Sequence, residues 1–266
     1  MDMLFDPLFH KAWLTGLCLS AFLPVLGLYL RLRNEWLAAL GLAQMSAATG
    51  LLGYGLGLPV LVGGPLGGVL MAFVKQLTKA SNTVYAFMLI AGWSLTFLVA
   101  ANTHLGESLG HALINGQLYF AETSHAIAGG LVLAGGALLL RLVSHHLLRA
   151  TLFPHHEQLN QPAPWRWHLA FDVLVAISMG VAMASMGLMT AFAMVFIPAW
   201  LAFKVAGGWQ QAIMIAVGFG LCGFITGFAV AVLFDQPYGP CQVAVYLLLA
   251  AAVVPLSHYA GHKKTA

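Results

Sequence analysis

The residues able to do chemistry are few, and they sit on separate stretches. His104, Glu107 and His111 are spaced i, i+3 and i+7, which puts them on one face if their segment is helical. Two imidazoles and a carboxylate suit a borderline ion such as Zn²⁺. In a chain with eleven histidines, that face is a metal-catching mouth, a contact for a protein, or a coincidence of composition. Gln44, Met45, Ser46 and Thr49 form a polar patch inside an apolar run. Their hydroxyls either bond their own or a neighbouring helix, or line a path for a neutral or chelated solute. Asp172 is the one acid well inside an apolar run, so it lies either at the membrane interface, bonding Arg166 or solvent, or on the path itself.

Other candidates read more plainly. Met179, Met183, Met186, Met189 and Met194 form a stripe that is packing filler or a thioether route for a soft ion. Cys18, Cys222 and Cys241 lack CxxC spacing and read as small buried residues. The adjacent pairs His145–His146 and His155–His156 do not share a helix face and read as interfacial or loop residues. No HExxH and no serine/histidine arrangement falls within an apolar run, so no catalytic group is assigned and an enzyme is not expected.

The elements that must position these groups are apolar. Hydrophobic residues make up 61% of the chain, charged ones 7%, and the mean hydropathy is +0.88, whereas about a quarter of a soluble domain is charged. The chain is expected to be a single all-α transmembrane domain over residues 1–266. Nine runs qualify: 12–30, 36–57, 59–77, 83–101, 125–143, 169–186, 189–206, 211–234 and 241–258. The third, with four glycines around Pro65, and the seventh, with Pro198, are the weakest, so eight crossings plus a re-entrant piece would also fit. Residues 178–204 hold two short runs that meet at Gly187, the second interrupted at Pro198. Broken helices at membrane depth line cavities or solute paths, so Met183, Gly187 and Pro198 join the patch at Gln44 as the expected gate and path.

With nine spans, every Lys and Arg except Lys11 falls on or near one side, which the positive-inside rule makes cytoplasmic. The N-terminus would then be outside and the C-terminus inside, with the first run retained rather than cleaved. A short surface helix is expected between the fourth and fifth spans. Nothing in the charge pattern suggests a nucleic-acid partner.

Specific motifs add to this. Met179-Gly180-Val181-Ala182-Met183, Met186-Gly187-Leu188 and Phe196-Ile197-Pro198-Ala199 keep the spacing of an IGVAM…VGALL…IIPAATA pattern, and the stretch from Phe234 to Val243 is similar to YDTPAGPSVV. The segment from Ala112 to Gly116, followed by Leu118, is similar to a YLFG region. On these the chain resembles the permease subunit of the zinc/manganese-uptake ABC transporter family. The resemblance implies a pair of permease copies on a cytoplasmic ATP-binding subunit, fed by an extracytoplasmic solute-binding protein. It places an ATPase contact near Pro154, His155, His156 and Glu157. ATP would be used by that partner and no cofactor bound here, since the chain has no GxxxxGK[ST] loop. Members that carry a bare divalent ion have an Asp and a His four residues apart on the second span. Here the matching positions are Leu40 and Gln44, so the departure points to a metal chelate or another small solute. An ATP-independent carrier, recognisable by a paired buried charge, and a non-transporting scaffold or receptor are the alternatives.

Overall fold

The computed structural model describes residues 7–78, 82–102, 116, 118–152 and 165–262. Among them are nine α-helices and no strand: α1 His10–Leu32, α2 Trp36–Gly55, α3 Val60–Thr78, α4 Asn82–Asn102, α5 Thr123–Leu152, α6 Trp165–Met186, α7 Leu188–Val205, α8 Trp209–Leu233 and α9 Tyr238–His262. Each corresponds to one of the nine apolar runs. The first eight are long and apolar enough to cross a membrane, while the apolar part of α9 described here is the shorter Tyr238–Val253. The chain is a polytopic all-α membrane protein.

The weak points expected at the third and seventh spans are not where the helices fail. In α3 the glycines form the contact face rather than a break. A Cβ on Gly67 would overlap the Thr49 side chain, one on Gly68 would meet Ser46 Oγ at 2.4 Å, and one on Gly64 would lie 3.2 Å from the Ser46 carbonyl. Small residues at such spacing let two helix backbones approach closely, as helices in lipid require. Pro198 likewise does not interrupt α7, which continues to Val205. It removes one N–H and frees the Met194 carbonyl, a loss that helices tolerate inside a bundle. Pro24 in α1 and Pro65 in α3 are accommodated in the same way.

The expected break at Gly187 is present. Gly187 has φ +87 and ψ 160, a conformation open essentially to glycine alone, and it separates α6 from α7. The two flanking helices have 22 and 18 residues, so both span, contrary to the reading of two short runs. Gly116 (φ +81) sits on this junction so closely that a Cβ there would meet the Met186 carbonyl at 2.0 Å.

Burial divides the bundle. The apolar windows of α1, α2, α6 and α7 are 61–72% buried, those of α3, α4, α5 and α8 only 28–33%. The first four helices therefore form the core. α6 packs against α2, α3, α5 and α7, and α2 is held between α3 and α4.

Candidate functional site

The polar centre of the core is built at the turn between α1 and α2. Asn34 takes a left-handed conformation (φ +56), which asparagine adopts more readily than most residues. The turn closes with Glu35 N–H on the Leu30 carbonyl (2.8 Å) and Asn34 N–H on the Arg31 carbonyl (3.0 Å), the Schellman arrangement of a helix C-terminus. Arg33 and Glu35, on either side of Asn34, both join one ion-pair network, with Arg33 Nη2 2.9 Å from Glu35 Oε2.

Two helices complete the cluster. Lys75, in the last turn of α3, donates to Glu35 Oε2 at 3.0 Å and to Asp172 Oδ1 at 2.5 Å. Arg33 Nη1 lies 3.6 Å from that same Asp172 oxygen. Asp172 is 1% exposed and Lys75 4%, and two cations face two anions. Such neutrality is what makes burial tolerable, because an unpaired charge here would cost several kcal/mol, roughly 3–5. The Arg33 guanidinium also lies over the Phe171 ring (5.1 Å) and the Lys75 ammonium over Tyr85 (5.4 Å). Burial pushes the Glu35 carboxyl up, but the Arg33 and Lys75 charges, helped by His168, outweigh it and hold the group below its ordinary value. Three atoms of the cluster remain without a hydrogen-bond partner: Arg33 Nη1, Asp172 Oδ2 and the Tyr85 hydroxyl.

Asp172 is thus seven residues into a helix that begins at Trp165, and Lys75 and Arg33 hold it. Arg166, the partner considered from sequence, instead lies over the Trp165 ring at 5.7 Å. Arg33, Glu35, Lys75 and Tyr85 were not among the site residues read from sequence. The available signal was a lysine placed one turn inside an apolar helix, which on its own reads as a basic end of a span.

The patch on α2 does not converge on one point. Gln44 faces α4, where a Cβ on Gly92 would lie 2.8 Å from it, while Ser46 faces Gly68 of α3 with Ala176 of α6 beside it, and Thr49 faces Gly67. Thr49 donates back to the Met45 carbonyl at 2.8 Å. Gln44 Nε2 and Ser46 Oγ are buried without a partner. Met45, Met179, Met183, Met186 and Met194 are core residues, whereas Met189 is 50% exposed, so the methionines do not form a single lined route. His146 stacks on Trp167 at 4.0 Å, joining α5 to α6. His104, Glu107 and His111, the surface helix expected around them, and Pro154, His155, His156 and Glu157 lie outside the described residues.

The ABC 3 transport family matches residues 6–256 of this chain. The chain belongs to that family. Among curated proteins, the chelated iron transport system membrane protein YfeD of Yersinia pestis is similar to this ABC 3 family chain, 20% identical over 272 residues, covering 97% of this chain and 91% of YfeD. Among solved structures, PsaBC from Streptococcus pneumoniae in complex with Fab has a chain of the same fold, with a TM-score of 0.82, 20% identity and 98% of each chain covered. A chain described as a metal-chelate type ABC transporter in an inward-facing conformation matches with a TM-score of 0.69 and 18% identity, over 94% of this chain and 85% of its own. The likeness runs the length of the family fold, so the ion-pair cluster and the α2 patch both lie inside it. Leu40 of this ABC 3 family chain is only partly buried, packed on the core one turn before the buried Gln44.

Proposed function

We propose that this chain is the membrane-spanning subunit of an importer that carries a metal held by an organic chelator across the bacterial inner membrane. The family match over residues 6–256 carries this reading. The chemistry of α2 refines it. Leu40 cannot ligate a metal and Gln44 offers one neutral amide, so a bare divalent ion would lack a carboxylate–imidazole pair there. A wrapped ion needs room and hydrogen bonds, and the unpaired Gln44 Nε2 and Ser46 Oγ can supply the latter. Met183, Gly187 and Pro198 remain proposed parts of the path. His104, Glu107 and His111 are retained as a proposed outer metal-catching face.

The power would come from a separate cytoplasmic ATP-binding subunit docked near 153–161, with a second permease copy and an extracytoplasmic binding protein completing the assembly. The basic end of the bundle, where Arg33 and Lys75 lie, would face the cytoplasm. Uptake by cells lacking the chain, with metal supplied free or pre-bound to a chelator, tests the cargo. Selective loss of chelated-metal uptake supports this reading, and loss of free-ion uptake replaces it with a bare-metal importer.

One observation favours a second reading. The buried Lys75–Asp172 pair is the kind of group an ATP-independent carrier uses for ion coupling. Affinity purification of the chain from its own membrane separates the two, since an importer subunit brings an ATPase with it and a secondary carrier does not.

A further inference from the structure

The ion-pair cluster is left incomplete in a particular way. Asp172 uses Oδ1 for Lys75, while its Oδ2 accepts nothing. Arg33 uses Nη2 for Glu35, while its Nη1 donates to nothing and stands 3.6 Å from Asp172. The unbonded Nη1 of the guanidinium therefore faces the carboxylate beside Oδ1, the oxygen that Lys75 holds. A hydrogen bond between such groups forms near 2.7–2.9 Å, so a relative shift of α6 by about 1 Å would complete it. The guanidinium would then hold Asp172 through Nη1 and Glu35 through Nη2, two carboxylates on one rigid planar fork, a geometry that lysine cannot match.

Glu35 makes the exchange affordable. Its Oε2 is bonded to both Arg33 and Lys75, so whichever cation Asp172 releases still has an anion. No buried charge is stranded in either arrangement, and stranding is the costly event. Arg33 belongs to the α1–α2 turn, Lys75 to α3 and Asp172 to α6. Only α6 has to move.

We infer that Asp172 is a two-position ion-pair switch, paired with Lys75 of α3 in one conformation of the permease and with Arg33 of the α1–α2 turn in the other. The identity of what drives α6 rests on the importer reading, in which the segment preceding Trp165 meets the ATPase. The exchange itself rests on the cluster. Its consequence is local: Ala176, one turn beyond Asp172, packs on Gly68 of α3, and that contact loosens when Asp172 leaves Lys75.

The test uses the full chain in membrane vesicles, with its three cysteines replaced by alanine and a single cysteine introduced as Ala176→Cys. The rate of labelling by N-ethylmaleimide is measured in two neutral variants. Glu35→Gln with Lys75→Met leaves only Arg33 for Asp172, and Arg33→Met with Glu35→Gln leaves only Lys75. The switch requires opposite effects, labelling at least five-fold faster in the first and at least two-fold slower in the second than in the parent. Labelling that changes in the same direction in both, or in neither, reduces the cluster to a static brace and overturns the inference. Should either variant fail to accumulate, Arg33→Lys keeps the charge but removes the fork, and it must slow labelling; an unchanged rate there also overturns it. Failure of the importer reading would show separately, as absence of an ATPase co-purifying with the unaltered chain.

Discussion

Lys75 Nζ lies 2.5 Å from Asp172 Oδ1 across a sequence separation of 97 residues, and this contact ties the basic end of α3 to the second turn of α6. Removing one member leaves the cluster charged. Lys75→Met alone should lower the stability of the detergent-solubilised chain by about 3–5 kcal/mol. Lys75→Met with Asp172→Asn should recover at least half of that loss. Thermal unfolding of the three proteins checks it, and additive losses would mean that the two groups do not interact.

Acid should act on Glu35. Its carboxyl is held below its ordinary value in the folded chain, so the protein binds this proton less readily folded than unfolded. The stabilisation is therefore complete above the unfolded value, about 4.3, and is lost as pH falls through the lower folded value. Unfolding temperature measured from pH 6 downwards should drop below about pH 4, and Glu35→Gln should flatten that part of the curve. An identical curve in the variant would place the acid sensitivity elsewhere.

The junction between α6 and α7 should reject any side chain. Gly187→Ala forces alanine to φ +87, at a cost of about 1–3 kcal/mol. Gly116→Ala adds a collision with the Met186 carbonyl and should be at least as damaging. Gly130→Ala, where nothing lies within 4 Å of the added carbon, should leave the unfolding temperature unchanged or raise it. The three melting temperatures, read side by side, decide whether the junction is the special site.

A metal pair can be built where this chain lacks one. Leu40→Asp with Gln44→His puts a carboxylate and an imidazole one turn apart on α2, a spacing that lets both reach one ion. Calorimetry should detect binding of free Mn²⁺ or Zn²⁺ to the double variant and none at this position in the parent. Equal binding by both would mean that the ion is held elsewhere and that Leu40 and Gln44 do not set the cargo.

The helices themselves were legible because each is a long apolar run, and composition alone demands a membrane. Gly187 was legible too, since its effect is local. Pro198 and the glycines around Pro65 misled for a shared reason. In water a proline or a glycine cluster weakens a helix, whereas between packed helices the freed carbonyl is sheltered and the missing side chains become room for Ser46 and Thr49. The ion-pair cluster was beyond reach for another reason. Arg33 and Lys75 look like ordinary end-of-span charges, and only the packing of α1, α3 and α6 brings them to Asp172. For Asp172 the sequence left interface and path open, and its burial follows from α6 starting four residues before the apolar run does.

In the switch inferred for Asp172, the seating of Gly116 on the Met186 carbonyl would make the far end of α6 a pivot. A rod pinned at Met186 carries Asp172 fourteen residues away, about 21 Å along the axis at 1.5 Å per residue. At that radius a tilt of about 3° sweeps the carboxylate through about 1 Å. Leverage of this kind makes displacement grow along α6, smallest beside Met186 and largest at Asp172, with the Ala176–Gly68 contact carried along between them.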